Sequence, residues 1–359
     1  MRTFIFKPAA IALLLLVGAG CDNKAKIMTE VTTTPTTAVA DYATDTHIDQ
    51  GTKAFLKVLN TSGGKPLNEL SKEEARNVLV GAQAAMKVDL SGIEESEKTI
   101  TADGHTIKLN ISRPAGKSGK LPAFMFIHGG GWILGDYPTH QRFVRDLVVA
   151  SGFTAVFVNY TPSPEAQYPQ ALNEIYAATK WVSEHGDEIN VDPSKLAMVG
   201  NSAGGNMAAA VTMMTKEKNG PDLKMLLLFW PVTDTGFNTE SYAKYANDRF
   251  LTAPVMKWMF DQYTTDEKAR KDAHISLVSA TKEQLKGFPP TLIQVAENDI
   301  LRDEGETFGR LLDEAGVDAT TVRYNSMIHD FGLLNALANL PTTKALFEHA
   351  GAALQKNLK

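Results

Sequence analysis

The stretch KLAMVGNSAGGNMAAAV, residues 195–211, decides the fold. It begins with an apolar run typical of a buried strand, continues with Gly200-Asn201-Ser202-Ala203-Gly204, which fits G-x-S-x-G, and ends in an alanine-rich segment typical of a helix. A serine in such a tight strand-to-helix turn has a strained backbone that exposes its hydroxyl. The stretch therefore predicts a nucleophile, Ser202, beside a helix N-terminus that favours negative charge.

On both sides of this stretch, apolar runs alternate with helical patterns. Buried strands that alternate with helices indicate an α/β fold with a mostly parallel central sheet and helices on both faces. Ligands of such sheets bind beyond the carboxyl ends of the strands, so the residues that follow each strand are candidate site residues. After a β-hairpin around Asp103-Gly104, the predicted strands are 123–127, 154–160, 195–200, 225–230, 291–296 and 319–325.

Three consecutive glycines in HGGGW, residues 128–132, follow the strand predicted at 123–127. Attack of Ser202 on an ester carbonyl would place negative charge on the carbonyl oxygen, which needs fixed hydrogen-bond donors about 3 Å away. A glycine run offers backbone N–H groups that no side chain shields, and the N–H of Ala203 would be a further donor. A phosphate-binding loop is the alternative, but no lysine followed by serine or threonine has the required spacing.

A serine hydroxyl needs a base, and the base needs a carboxylate to orient it. Of the eight histidines, His329 is the one expected on a loop just after the last strand. Asp299 lies just past the strand at 291–296 and is the predicted carboxylate. Asp303 is the competing choice, although with Glu304 it is expected to begin a helix, where acids are common as caps. The order Ser202, Asp299, His329 is that of α/β hydrolases.

Taken together, these motifs resemble the hormone-sensitive-lipase-like family of α/β hydrolases, which includes bacterial esterases. Two motifs depart from the usual pattern of that family. Asn201 stands where the family usually has Asp or Thr, and Pro162-Ser163 stands where Leu-Ala usually precedes Pro-Glu. The matching pieces are HGGGW (128–132), NYTPSPEAQYPQAL (159–172), GNSAGGNMA (200–208), DILRDEG (299–305) and HDF (329–331).

The resemblance implies a carboxylesterase that hydrolyses short to medium acyl esters through an acyl-enzyme intermediate, without a metal or cofactor. Hydrolysis of long-chain lipids, amides or lactones on the same scaffold is the alternative, and a ligand-binding protein without catalysis is a further one. The site residues that the resemblance implies are Ser202 as nucleophile, His329 as base, Asp299 as orienting acid, and Gly130, Gly131 and Ala203 as oxyanion donors.

Two segments are expected to form a helical cap over the strand ends. Residues 48–95 show helical patterns before the first parallel strand, and the interval 231–290 is too long for a single crossover. Within that interval, APVMKWMFDQY (253–263) has a helical apolar face. We expect the cap to comprise 48–95 and about 231–270, in a catalytic domain spanning 48–359. A helix packed on the core is the alternative for 253–263.

The N-terminal residues predict export. Residues 1–20 combine Arg2 and Lys7 with a short apolar run and small residues, which is typical of a signal peptide. Cys21 follows immediately, at the position of a lipidated cysteine in bacterial lipoproteins, and residues 21–47 are expected to be a tether. The expected location is the periplasm or cell envelope, with membrane attachment through the lipid on Cys21; plain secretion is the alternative.

The composition is that of a soluble globular protein with a large core. Apolar residues make up 43% and charged residues 21% of the 359 residues, and the net charge is −5. No long run of Lys and Arg is present, so a nucleic-acid partner is not expected. The expected partner is a small-molecule ester. The chain has one cysteine, which excludes an internal disulfide.

Overall fold

The computed structural model of the protein describes residues 41–359. The predicted signal peptide, Cys21 and all but the end of the predicted tether lie outside the described residues. Across residues 41–359, none of the helices has both the length and the apolar character needed to span a bilayer.

The strands of the described residues are β1 Ile93–Ala102, β2 His105–Pro114, β3 Leu121–Ile127, β4 Thr154–Asn159, β5 Val191–Asn201, β6 Met225–Phe229, β7 Thr291–Asn298 and β8 Ala319–Ile328. The α-helices are α1 Gln50–Thr61, α2 Lys72–Ala84, α3 Tyr137–Ser151, α4 Gln170–His185, α5 Ala203–Glu217, α6 Glu240–Lys244, α7 Ala253–Tyr263, α8 Lys282–Leu285, α9 Arg302–Glu314 and α10 Pro341–Leu358. Short 3₁₀ helices lie at Leu67–Glu69, Gly186–Ile189, Ala269–Lys271, Leu277–Ser279 and Asn335–Leu337.

Within residues 41–359 the strands form one eight-stranded sheet in the order β1-β2-β4-β3-β5-β6-β7-β8. The hairpin β1–β2 pairs antiparallel, and β2 pairs antiparallel with β4. All other neighbours, from β4 and β3 across to β8, pair in parallel. The predicted α/β-hydrolase class, with a mostly parallel central sheet, is confirmed. The sheet already begins at Ile93, so the last three residues of the segment 48–95 belong to β1 rather than to a cap.

Successive side chains of a strand point to opposite faces of the sheet. Helices cover both faces, so both sets of side chains are buried. In β3, Phe124 and Phe126 pack into one apolar cluster with α3 and α10. Met125 and Ile127 of the same strand pack into a second cluster with α4, α5 and α9. Burial on both sides explains why these strands read as continuous apolar runs rather than as alternating patterns.

The N-terminal helices and α7 also bury side chains in these two clusters: Leu56 of α1 in the first, and Ala75 of α2 with the apolar face of α7 in the second. Helix α2 begins at a capping box, in which the Ser71 and Glu74 side chains accept from each other's backbone N–H groups. Helix α7 begins with Thr252 as its cap and Pro254 in its first turn. The predicted apolar face of α7 is buried: Val255, Met256, Met259, Phe260 and Tyr263.

Candidate active site

Ser202 occupies the turn between β5 and α5. Its backbone has φ 53° and ψ −124°, a conformation that non-glycine residues rarely adopt. The Ser202 N–H donates to the carbonyl of Phe229 at 2.9 Å, which ties the turn to the end of β6. Gly204 lets the turn pass close to β3, since a Cβ there would lie 2.1 Å from the carbonyl oxygen of Ile127. Ser202 is therefore held at the carboxyl edge of the sheet, at the start of a helix.

His329 lies between Ser202 and Asp299. Its Nε2 is 3.0 Å from Ser202 Oγ and its Nδ1 is 2.7 Å from Asp299 Oδ2. Asp299 follows β7 directly, His329 follows β8 directly, and both are at most 2% exposed. Asp299 Oδ1 also accepts the N–H of Leu301 at 3.0 Å, which fixes the carboxylate. The strand ends thus bring together three side chains that are scattered along the sequence.

Opposing effects act on the pKa of the His329 imidazole. Burial favours the neutral ring and lowers the pKa, but the carboxylates of Asp299 and Asp330 favour the imidazolium. The net result is a raised pKa. A buried imidazole between a hydroxyl and a carboxylate is suited to taking the hydroxyl proton and holding the resulting charge.

Asp303, the competing carboxylate in the sequence, points elsewhere. It lies in the first turn of α9, where Oδ1 accepts from Arg302 Nε at 2.7 Å and Oδ2 accepts from the N–H of Ser241 at 2.7 Å. These contacts join α9 to α6. Of the two candidate carboxylates, Asp299 and Asp303, Asp299 is therefore the one that contacts His329.

The glycine run forms a bent loop beside Ser202. The loop is fixed by Gly129, whose N–H donates to Asn201 Oδ1 at 2.9 Å, and by His128, whose carbonyl accepts from Tyr160 Oη at 2.9 Å. Among residues 41–359, no acceptor pairs with the backbone N–H groups of Gly130, Gly131 and Ala203. Three donors free of protein acceptors next to a nucleophile can bind a developing oxyanion.

Helix α7 packs over the glycine run. The Trp132 ring stacks on Tyr263 with centroids 4.4 Å apart and tilts against Phe260 at 4.8 Å. Met259 fills the space above Gly131, since a Cβ on that glycine would lie 2.1 Å from its sulfur. Ser202 is only 4% exposed beneath this cover.

Sequence reasoning missed the contacts that join the loops of the site to one another. Asn201 and Asp330 are hydrogen-bonded across 129 positions, and Met259 reaches Gly131 from the insertion. Asn201 lies within GNSAGGNMA and Asp330 within HDF, but no spacing rule predicts that their side chains contact each other. Within residues 41–359, no cluster of three or more His, Cys, Asp or Glu side chains is arranged to hold a metal ion.

Comparison with known proteins finds similar chains among α/β hydrolases and esterases. A family model described as alpha/beta hydrolase fold matches residues 124–333. An alpha/beta hydrolase of Acanthamoeba polyphaga mimivirus is 36% identical over 306 residues, which cover 84% of this chain and 86% of that protein. A carboxylesterase of Mycobacterium tuberculosis is 31% identical over 264 residues, covering 73% of this chain and 82% of that protein.

A solved structure gives the same picture. A thermostable esterase from Pseudomonas putida superposes with a TM-score of 0.87 at 57% sequence identity, and the match covers 88% of this chain and 99% of that chain. The match therefore extends over nearly the whole length of that esterase chain.

Proposed function

The chain belongs to the hormone-sensitive-lipase-like family of α/β hydrolases and is a carboxylesterase, and from that premise we propose that Ser202, His329 and Asp299 hydrolyse the ester through an acyl-enzyme intermediate. The observation that carries this proposal is the continuous chain of contacts from Ser202 Oγ through both imidazole nitrogens to Asp299 Oδ2, at 3.0 and 2.7 Å.

In the first half of the proposed reaction, Ser202 Oγ attacks the carbonyl carbon while its proton passes to His329 Nε2. Asp299 accepts the Nδ1–H of His329 and stabilises the imidazolium that forms. The carbonyl oxygen becomes an oxyanion and binds the backbone N–H groups of Gly130, Gly131 and Ala203. The tetrahedral intermediate collapses, the alcohol oxygen takes the proton from His329, and the acyl group remains on Ser202.

In the second half, a water molecule replaces the alcohol. His329 accepts a proton from this water, whose oxygen attacks the acyl carbon, and the same N–H groups bind the second oxyanion. Collapse of that intermediate breaks the bond to Ser202 Oγ, which recovers its proton from His329 as the carboxylic acid leaves. The chemistry needs no group beyond this chain, the ester and water.

We also propose a preference for short to medium acyl chains. The cover formed by α7 supports this, because Met259 and the stacked pair Trp132 and Tyr263 pack at the glycine run beside a nucleophile that is 4% exposed. An ethyl acetate hydrolase of Pseudomonas putida is 28% identical to this chain over 289 residues, and its name points in the same direction. Hydrolysis rates measured on p-nitrophenyl esters from acetate to palmitate should peak among the shorter chains; a maximum at palmitate would contradict the preference.

The proposed nucleophile is tested with a fluorophosphonate, which reacts covalently with activated serines. We expect mass spectrometry to place one adduct on Ser202, and Ser202→Ala to lose the adduct together with roughly a millionfold in kcat. Labelling of another residue, or ester hydrolysis retained by purified Ser202→Ala, would reject the assignment. A protein that only binds esters would give no adduct at all.

A further inference from the structure

The Asn201 side chain joins three loops at the site. Its Oδ1 accepts the N–H of Gly129 at 2.9 Å, and its Nδ2 donates to Asp330 Oδ1 at 3.3 Å. The same Asp330 oxygen accepts from Trp230 Nε1 at 2.6 Å. Asn201 is fully buried and Asp330 is 6% exposed. One amide therefore connects the glycine run, the turn that carries Ser202 and the loop that carries His329.

The second oxygen of Asp330 faces the reacting side of the imidazole. Oδ2 lies 3.7 Å from His329 Nε2, the nitrogen that also contacts Ser202 Oγ. Asp299 contacts the opposite nitrogen, Nδ1. When His329 takes the serine proton, its positive charge is consequently flanked by two buried carboxylates rather than one.

The Asn201 amide accepts one hydrogen bond and donates another. A carboxylate there would still accept from Gly129, but it has no hydrogen to give to Asp330. Two carboxylate oxygens about 3.3 Å apart in a buried site cannot both stay ionised, and one of them would retain a proton. Asn201 and Asp330 are therefore complementary: the amide at one position permits the charge at the other.

We propose that Asn201 and Asp330 act as a positioning pair, in which the amide holds the glycine run and the His329 loop together while Asp330 supplies a second carboxylate to the His329 imidazolium. This proposal rests on the assignment of His329 as the base. Neither residue touches the reacting atoms of the ester, so both act through His329 and the oxyanion donors.

The surroundings of His329 define what the pair should do to the pH profile. Among the described residues, the charged groups that face the ring are Asp299, from the loop after β7, and Asp330, from its own loop. Ser202 faces it from the start of α5, and the Trp230 ring meets it edge-on at 6.4 Å from the end of β6. Burial raises the pKa of Asp330, while His329 and the donors Trp230 and Asn201 oppose that rise.

Asp330→Asn tests the charge without removing the bridge, since the new amide oxygen can still accept from Trp230 and Asn201. The acid limb of kcat/KM against pH reports deprotonation of the base in the free enzyme. We expect this limb to move about one pH unit lower, because a carboxylate within about 4–6 Å commonly shifts a neighbouring pKa by at least that much. Asp303→Asn is the matched control, and its limb should stay in place because Asp303 contacts Arg302 and Ser241 instead.

Asn201→Asp tests the bridge. The carboxyl group introduced at position 201 can form a hydrogen bond with Asp330 only while the two acids share one proton. Activity should therefore follow the acid limb set by His329 up to the pKa at which that proton leaves, and fall about tenfold for each pH unit above that pKa. The double variant Asn201→Asp with Asp330→Asn removes the second acid, so the new basic limb should disappear.

The outcomes separate this proposal from the assignment of the nucleophile. If the wild type hydrolyses esters and fluorophosphonate labels Ser202, but Asp330→Asn leaves the acid limb unmoved, Asp330 has no electrostatic role. A basic limb that persists in the double variant, or that never arises in Asn201→Asp, would reject the bridge. If Asn201→Asp fails to fold, the isosteric Asp330→Asn still tests whether the charge of Asp330 acts on His329. Failure of Ser202 labelling would instead reject the mechanism of the preceding section.

Discussion

The Nδ1 atom of His329 lies 2.7 Å from Oδ2 of Asp299, a residue that the sequence separates from it by 30 positions. The contact is possible because β7 and β8 are parallel neighbours whose carboxyl ends reach the same edge of the sheet. Asp299 is the first residue after β7 and His329 is the first after β8.

From this contact we predict that Asp299→Asn loses roughly ten-thousand-fold in kcat, because an amide cannot hold the imidazole in the required tautomer or stabilise the imidazolium. Asp303→Asn should lose far less activity and mainly weaken the contact between α6 and α9. Steady-state kinetics on p-nitrophenyl acetate measure both. The reverse ranking would make Asp303 the orienting acid.

A second prediction concerns the buried pair His128 and His140, beneath the glycine run. Burial lowers the pKa of His128 from 6.5 to about 4, and burial next to His128 lowers that of His140 as well. The unfolded chain then binds more protons than the folded one below about pH 6.5. The stabilisation from the neutral His128 ring is complete above that pH and should fall by up to about 3 kcal/mol between pH 6.5 and 4.

Urea unfolding from pH 8 to pH 4.5 checks this dependence in the wild type and in His128→Phe. The phenyl ring can still stack between Phe157 and Tyr160, which hold the imidazole at 5.3 and 4.3 Å. The free energy of unfolding of the variant should fall less steeply with falling pH than that of the wild type. The reference is pH 8, where the His128 imidazole of the wild type is neutral in both the folded and the unfolded protein. An equal slope in the two proteins would show that His128 does not drive the acid loss.

A third prediction concerns Gly131 under Met259. Gly131 has φ 60°, and a methyl group there would lie 2.1 Å from the Met259 sulfur. Gly131→Ala should therefore displace α7 or the glycine run and lower kcat by at least about tenfold, the usual effect of misplacing an oxyanion donor. Adding Met259→Ala removes the clash and should restore activity. The restoration should be partial, because alanine at position 131 remains strained by the positive φ. Gly119→Ala is the control, since its φ is 76° and nothing lies within 4 Å; comparable losses in kcat for both alanine variants would contradict the role of Met259.

The strand ends could be predicted because periodicity and apolar runs mark strands, and the topology rule then places the following residues at one edge. Ser202, Asp299 and His329 each follow a strand that the sequence marks clearly, and the structure places them in contact. The bare backbone of the glycine run predicted a source of oxyanion donors, and the family resemblance added that Gly130 and Gly131 supply them. The boundaries were less accurate, since β5 begins at Val191 and β8 extends to Ile328.

The contacts around these residues could not be predicted, because they depend on how the insertion between β6 and β7 folds back. That insertion contains two helices of four or five residues and two 3₁₀ turns, which leave no periodic signal. The position of Met259 above Gly131 follows from that path. The hydrogen bond between Asn201 and Asp330 likewise depends on side-chain geometry across two loops.

The last prediction concerns the segment before α1. Asp45 Oδ2 accepts from Arg249 Nη2 at 2.9 Å, and the Arg249 side chain is 2% exposed. Two residues on, the carbonyl of His47 accepts from Asn298 Nδ2 at 2.7 Å, next to Asp299. Breaking a buried ion pair from one side typically costs about 3 kcal/mol or more. Asp45→Ala should accordingly lower the free energy of unfolding by about that amount.

Urea unfolding of Asp45→Ala at pH 7 measures the loss, with Asp222→Ala as the control because the Asp222 side chain is 80% exposed in its pair with Lys224. The control should change stability by less than about 1 kcal/mol, since exposed pairs contribute little. At low temperature, where the variant stays folded, its kcat should remain near that of the wild type, because Asp45 contacts neither Asp299 nor His329. Equal stability losses for Asp45→Ala and the control would show that the segment before α1 is not fastened through Arg249.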